Sequence, residues 1–597
     1  MSPETKICQN CKQNFAIESE DFDFYKKIDV PPPTFCWECR LQQRMSFRNE
    51  RTLFKRKCDV PGHTEEIIST YSPKNNVKVY DDRYWWSDAW DPEDFGKSYD
   101  FNQPFFRQYG ELLRNVPLIS LSITNMANCS YCNVSEGDKD CYLISASWRN
   151  ERTLYANRVA LTKDSSDLYI SDRNELCYDC VNCKQSYRLS FSTNCMDCVN
   201  SAFLYECSNC QNCFGCSNLK NKQFYFMNEQ CTKEEYARKL EEFNVGISSN
   251  VDKMRSIHSG IVSSSIQRFA RILKSLNSTG DNLSNVKNCK ICFDLVGEPS
   301  AEDIKYSIWG GFKCRDVYDG GPGIGEGEQM YEVFDSGIQS SKLFFTGVVY
   351  GSYDIWYSIN CHSSSHLFGC YGLRKKEYCI LNKQYTKEEY EAIIPKIIEH
   401  MNSNPYTDSM GRIFKYGDFF PFEISPFAYN ESIAFDYFPV SKERATGSGL
   451  SWRDSDVREY KITKRTDELP ENIKDVPDSI VNEVIECAHK GKCAYQCATA
   501  FRIVPEELKL LRQLGIALPH LCFNCRHHER LARRNPMKLW HRKCQCSGGA
   551  SENGVYKNTV AHQNHGTNHC SNEFETTYAP ERPEIVYCEQ CYQAEVI

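Results

Sequence analysis

From about residue 117 to residue 231 the chain alternates short apolar pieces with Asn, Ser and Asp, as in Asp167-Leu168-Tyr169-Ile170-Ser171. Alternation over so few residues predicts short strands separated by polar turns. Cysteines recur there at multiples of twelve: Cys129 and Cys141; Cys183, Cys195 and Cys207; Cys198 and Cys210. Asn-Cys dipeptides recur at 128–129, 182–183, 194–195, 209–210 and 212–213. Short strands at a fixed period predict a β-solenoid, in which small inward residues stack in columns from coil to coil. A second region, about 286–385, repeats the ending of the first: residues 214–236 and 368–390 match at 12 of 23 positions. Each ending carries a capping box, Thr232 with Glu235 or Thr386 with Glu389. A helix should therefore start there and cover the last coil.

The two ends of the chain follow another pattern. Cys8-x2-Cys11 and Cys36-x2-Cys39 are two knuckles whose four thiolates satisfy tetrahedral Zn²⁺ and leave no open position. The same frame returns 486 residues later, where 15 of the 48 positions from 11 to 58 match, among them Cys11/Cys497, Cys36/Cys522 and Cys39/Cys525. With Cys493-x3-Cys497 as its first knuckle, the second zinc set is expected to be Cys493, Cys497, Cys522 and Cys525. Between the knuckles, Phe22, Phe24, Tyr25 and Ile28, and Leu508, Leu510, Leu511 and Leu514, suit a short helix resting on the metal knuckles. Pro31-Pro32-Pro33 and Pro519 stop it. Cys546, Cys570, Cys588 and Cys591 make a third set, with Cys544 close by and His565 or His569 as substitute ligands. Residues 582–592 resemble the closing half of small bacterial zinc ribbons.

Charge sharpens the picture at both ends. Residues 40–57 and 526–543 each hold seven Arg/Lys and one Glu, although the whole chain is at −8. Arg40, Arg44 and Arg48 fall at i, i+4 and i+8, as do Arg526, Arg530 and Arg534, one face of a helix in each copy. Such a face suits the phosphates of a nucleic acid or an acidic protein surface. The acidic remainder of the chain could equally take these arginines in internal salt bridges, and a solvated face is the third reading.

The start, Met1 to Cys8, has no apolar stretch of a secretory leader, and no run of 18 apolar residues exists. The expectation is a cytoplasmic protein without a membrane span. In a reducing compartment its 34 cysteines are thiols or metal ligands rather than disulfides. In the repeat regions they read as buried thiol columns, as zinc knuckles, or, at Cys207, Cys210, Cys213 and Cys216, as an iron–sulfur run. The expected organisation is a zinc module with a basic helix (1–60), an aromatic and acidic connector (61–116), a first solenoid with capping helix (117–243) and a linker (244–285) with a short helix at 266–273. A second solenoid with capping helix (286–400), an irregular aromatic wrap (401–486), a second zinc module (487–545) and a zinc ribbon (546–597) follow. The fold class is mainly β and multi-domain, with two β-solenoid-like regions, duplicated four-cysteine modules, a terminal zinc ribbon and about three structural Zn²⁺ sites.

Several strings are specific: Cys36-x2-Cys39-Arg40, Arg48-Asn49-Glu50-Arg51-Thr52-Leu53, Tyr84-Trp85-Trp86-Ser87-Asp88, Leu381-Asn382-Lys383-Gln384-Tyr385, Trp452-Arg453-Asp454 and Leu539-Trp540-His541-Arg542-Lys543-Cys544. Through them nearly the whole chain resembles an uncharacterised zinc-ribbon-containing, Cys-rich family of candidate-phylum bacteria with reduced genomes. The resemblance implies a bacterial zinc protein and brings no activity with it.

Signals for catalysis are weak. Gly320-Gly321-Pro322-Gly323-Ile324-Gly325-Glu326-Gly327 lacks the Lys-Ser/Thr of a phosphate loop and reads as a solenoid turn. Cys361, His362, His366 and Cys370 offer four ligand types but sit in strand-like flanks, and Trp85, Trp86 and Trp90 read as a plug or an aromatic platform. The expected function is therefore binding: a zinc-stabilised, non-enzymatic scaffold. An enzyme or polymer binder using a solenoid groove, and a purely structural assembly protein, are the alternatives.

Overall fold

The computed structural model describes residues 2–454 and 460–596; the part of the expected aromatic wrap at 455–459 lies outside them. The chain is strand-rich and divides into two compact units. The first joins Met1–Leu121, Ala270–Asp454 and Met537–Leu539, and the second joins Ser122–Phe269, Ser455–Pro536 and Trp540–Ile597. Among the described residues no helix is long and apolar enough to cross a membrane.

The second unit is built on a sheet of twelve strands, from Ile123–Thr124 to Glu229–Gln230. Up to the closing hairpin of Gln223–Phe226 with Glu229–Gln230, which is antiparallel, its strands pair in parallel with the segment twelve residues on: Asn157 with Tyr169, Tyr178 with Ser190, Val199 with Gln211, Gln211 with Gln223. The backbone explains the sequence pattern. From Arg173 to Asn212 every third residue lies at positive φ, Asn182, Asn194, Asn209 and Asn212 among them. Asn tolerates this left-handed geometry better than most residues. The residue after each corner turns into the core, so Asn-Cys pairs place Cys183, Cys195, Cys210 and Cys213 in one buried cluster. Their thiols find acceptors without metal: Cys183 Sγ donates to Val181 O at 3.4 Å and Cys213 Sγ to Gln211 O at 3.5 Å. The x2 spacing of these cysteines is thus the spacing of backbone corners.

A second apolar cluster of this unit includes Phe191, Phe203, Phe214 and Phe226, with Val251 and Met254 from the helix Ser248–Ser264. That helix corrects the expected one at 266–273, where strands Ile266–Arg268 and Ile272–Leu273 stand instead. Burial of Val251 and Met254 outweighs the poor helix propensity of the surrounding serines.

The first unit has a sheet of eleven strands, from Ile272–Leu273 to Lys383–Gln384. Leu343, Ile355, Leu367 and Cys379 follow one another across it at the same twelve-residue register. The first strands pair at 11 or 12, as in Ile272 with Leu283 and Leu283 with Leu295, and those between run partly at longer offsets, as in Met330 with Leu343 and Leu295 with Gly310. The glycine-rich stretch sits here as packing: Gly321 has φ of 103°, and a Cβ on it would meet Ile308 O at 2.1 Å. Thr232 and Thr386 cap the helices Lys233–Glu242 and Lys387–Ser403, each within its own unit. Trp85 is fully buried, its Nε1 donating to Pro117 O at 3.0 Å, and Arg374 lies over Trp85 and Trp90. Phe420 stacks on Tyr109, so part of the aromatic wrap belongs to this unit's core.

Burial pulls two histidines well below their ordinary range: His258 to about 4, and His362 to about 3 with Arg374 adding to it. Unfolding lets both take protons from about pH 6.5 downward, which the folded chain refuses. Each therefore contributes stability that is whole above about pH 6.5 and is lost as pH falls toward its folded value. Urea midpoints should drop between pH 7 and pH 5. His362→Gln should flatten the first unit's decline by about 2 kcal/mol at pH 5, measured as the difference between variant and wild-type unfolding curves.

Candidate metal centres

Each of three modules opens on a strand that delivers one cysteine: Glu4–Ile7 before Cys8, Ile485–Glu486 before Cys487, Trp540–Lys543 before Cys544. A second cysteine stands three residues ahead of the partner strand in every case: Cys11 before Asn14–Ile17, Cys497 before Ala500–Phe501, Cys570 before Glu573–Thr576. The two strands pair antiparallel. A Cys-x2-Cys pair then opens a helix. Cys36 and Cys522 are the N-caps of Trp37–Ser46 and Phe523–Ala532, and Cys588 directly precedes Glu589–Val596. The positive end of a helix favours thiolate over thiol, so the sulfurs are placed where negative charge is cheapest.

The sulfurs converge. Cys8, Cys11, Cys36 and Cys39 lie within 4.8 Å of one another, as do Cys487, Cys497, Cys522 and Cys525, and Cys544, Cys570, Cys588 and Cys591. Cys11 to Cys36 is 3.8 Å, Cys497 to Cys522 is 3.9 Å and Cys570 to Cys588 is 3.9 Å. Metal–sulfur bonds of 2.3 Å in a tetrahedron put sulfurs about 3.8 Å apart. No described cysteine is in a disulfide. The backbone repeats one further contact: the N–H of Cys36, Cys522 and Cys588 donates to the first sulfur, Cys8, Cys487 or Cys544, at 3.2–3.3 Å. In each set one thiol is held far below its usual range by its two neighbours: Cys8 by Cys36 and Cys39, Cys522 by Cys487 and Cys525, Cys588 by Cys544 and Cys591. A site that already wants one thiolate among four close sulfurs fits a divalent cation, which would drive off the remaining protons.

No family model matches this chain, and no curated protein does. The residues themselves must carry the reading.

Two expected ligands change. The fourth sulfur of the second tetrad is Cys487 rather than Cys493, because the strand-borne position, not the shorter spacing, is what repeats. Cys493 instead lies 3.6 Å from Cys525, in a group with His489. The third tetrad likewise takes Cys544 in place of Cys546. The three modules differ in the loop between their first two ligands: Cys8-x2-Cys11, Cys487-x9-Cys497 and Cys544-x25-Cys570. A fixed offset of 486 hides the long second loop. The signal that finds the right residues is a cysteine directly after the hairpin's first strand and another three residues before its second.

The arginine face is also corrected. The helices end at Ser46 and Ala532, so Arg48 and Arg534 lie beyond them. Arg40, Arg44 and Arg48 are buried within the first unit rather than presented to phosphate. Arg44 Nη1 is 2.6 Å from Glu332 and 3.3 Å from Asp319, and Arg40 Nη2 is 2.7 Å from Asp319. Arg48 meets Glu50 at 2.7 Å and Asp335 at 2.9 Å. In the second unit Arg526 and Arg530, also buried, share Asp167 at 2.8 and 2.5 Å, and Arg526 adds Glu507 at 2.8 Å. Half-buried Arg534 donates to Tyr169 Oη at 3.2 Å. The acidic surface these arginines meet is the chain's own. Burial pushes Glu332 up to about 7 against the pull of Arg44, and it pulls Arg526 down less than Asp167 and Glu507 raise it. Of the helices between the knuckles, Ser19–Lys27 turns Phe24 onto Tyr318 of the sheet at 3.9 Å, whereas in the second copy Leu508 and Leu511 share a buried cluster with Cys487, Cys522 and Cys525, as expected of a helix resting on the metal knuckles.

A cavity of about 160 Å³ in the second unit is bordered by Asp167, Asp179, Arg255, Arg526 and Arg530. Two of its carboxylates are committed to ion pairs, Asp179 to Arg255 and Arg533 and Asp167 to Arg526 and Arg530; Asp252 and Glu529 also line it. Of the other candidates, His362 Nε2 pairs with Asn360 at 2.9 Å and His366 Nδ1 with Asp354 at 2.8 Å.

Proposed function

We propose that this chain is a zinc-stabilised, non-enzymatic scaffold in which four-cysteine modules clamp two β-solenoids. One observation carries the reading: in both units the helix opened by a Cys-x2-Cys pair sinks two arginines onto a carboxylate of the parallel ladder, Arg40 and Arg44 on Asp319, Arg526 and Arg530 on Asp167. The metal fixes the helix start, and the helix carries the guanidiniums to the ladder. Four thiolates at tetrahedral separations suit Zn²⁺, which is redox-inert and closed to further ligands. The ladders' free thiols suit a reducing compartment, and the likeness to the Cys-rich bacterial family fits this assignment. The surface left to a partner is then the ladder's, not the arginine helices.

Metal analysis of protein purified without added metal tests it. At least three Zn²⁺ per chain and no iron are expected; an iron-bearing chain, or a metal-free one that is fully folded, overturns the reading.

A further inference from the structure

The longest of the three inserted loops, between Cys544 and Cys570, carries its own potential ligands. Cys546 Sγ lies 3.3 Å from His562 Nδ1, which lies 3.1 Å from His565 Nε2, which lies 3.3 Å from Cys591 Sγ. All four atoms fall within 4.8 Å of one another. A tetrahedral ion with bonds of 2.3 Å to sulfur and 2.0–2.1 Å to nitrogen would put a sulfur and a nitrogen about 3.5 Å apart and two nitrogens about 3.3 Å apart. The group is close to that without any ion in place.

Its surroundings point the same way. The side chains of His562 and Glu595 are both buried, and His562 Nε2 is 2.8 Å from Glu595 Oε1. A carboxylate on one ring nitrogen fixes the tautomer and turns the other nitrogen's lone pair toward the cluster, the arrangement found behind metal-bound histidines. Asn558 Nδ2 donates to Cys546 Sγ at 3.2 Å, which favours a thiolate there. The loop is held mainly by polar contacts: Tyr556 Oη and the Thr559 N–H donate to Glu595, Tyr587 Oη donates to Asn558, and isolated bridges such as Cys546 with Ser551 and His562 with Gly566 cross it. Its Tyr556 packs on the module's core, while Val555 and Val560 are exposed. A segment with so little apolar packing of its own gains from a staple. The second module offers an independent parallel, since its inserted loop brings His489 and Cys493 onto Cys525, the cysteine equivalent to Cys591.

We propose that Cys546, His562, His565 and Cys591 bind a second metal ion in the third module, with the Cys591 thiolate bridging it to the ion held by Cys544, Cys570 and Cys588. The inference rests on the metal-clamp reading above. Two sulfurs and two imidazoles favour Zn²⁺, and four protein donors make the site closed and structural. With Cys591 shared, the module is a two-metal, five-thiolate cluster.

The test uses the full chain loaded with ¹¹³Cd²⁺ and read by cadmium NMR, beside zinc counts on the zinc-loaded protein. The wild type should show strongly deshielded four-sulfur resonances and one more shielded mixed sulfur–nitrogen resonance, the latter split by coupling through Cys591 to one of the former. Cys546→Ser/His565→Ala should lose the mixed resonance and the splitting, and hold one zinc fewer than wild type. Four-sulfur resonances alone in the wild type, or an unchanged zinc count in the variant, would overturn this inference and leave the clamp reading standing. Absence of every cadmium resonance would remove both. If the variant fails to fold, the wild-type splitting decides by itself.

Discussion

Cys39→Ser should cost the first unit far more than one side chain's packing. The replacement removes one of four sulfurs at the start of the helix Trp37–Ser46, and leaves three to hold the ion proposed to join the hairpin Glu4–Ile7/Asn14–Ile17 to that helix. Structural zinc sites contribute about 10–16 kcal/mol of apparent binding free energy at neutral pH. A damaged three-sulfur site retains part of this, so a loss of at least about 5 kcal/mol is the expected scale. The damage does not stop at the metal. Arg40 and Arg44 sit one and five residues after Cys39, and their hold on Asp319 and Glu332 depends on where that helix begins. Calorimetry of the variant should show the first unit's transition lowered by more than about 10 °C, with one zinc fewer per chain. An unshifted transition alongside the lost zinc would mean that the ion is incidental to the fold.

The twelve-residue spacing of Cys183, Cys195 and Cys207 was legible because a parallel ladder forces side chains of one column to that interval, as the pairing of Val199 with Gln211 shows. The Asn-Cys pairs were legible for a related reason: Asn suits the left-handed corner and Cys the narrow interior behind it. Helix starts at Thr232 and Thr386 were readable from a local hydrogen-bond motif that needs no tertiary context. What failed was whatever depended on contacts distant in sequence. The choice of Cys487 over Cys493 is made by strand pairing, and a fixed offset cannot see past an inserted loop. The helix Ser248–Ser264 is made by the aromatic surface that covers Val251 and Met254. The fate of the arginines was undecidable from composition, because a cationic helix face looks the same in sequence whether solvent, phosphate or buried carboxylate receives it. Only the position of Asp319 and Asp167 resolves it.

Asp167→Asn is the substitution that tests the clamp most directly. Its two oxygens take Arg526 and Arg530 at 2.8 and 2.5 Å, and all three side chains are buried within the second unit. Removing one charge of a buried cluster leaves the others without compensation, which typically costs about 3–5 kcal/mol. Glu507 still faces Arg526 at 2.8 Å, so Arg530 bears most of the loss. Among the described residues the hydrogen-bond acceptor left to it is Tyr155 O at 3.2 Å, a neutral carbonyl, with Asp179 attracting it only through space. Urea unfolding should therefore place Asp167→Asn about 3–5 kcal/mol below wild type. Asp167→Asn/Arg530→Met should recover a good part of it, because a long apolar side chain fills the space of the guanidinium without its desolvation cost. The cycle completed by Arg530→Met isolates the coupling between the two residues. Arg465→Ala, which breaks an exposed pair with Asp467, should leave the transition where it is. If Asp167→Asn behaves like Arg465→Ala, the arginines are not what joins the helix to the ladder. The module would then be held by its apolar contacts, Leu508 and Leu511 against the aromatic cluster of the same unit.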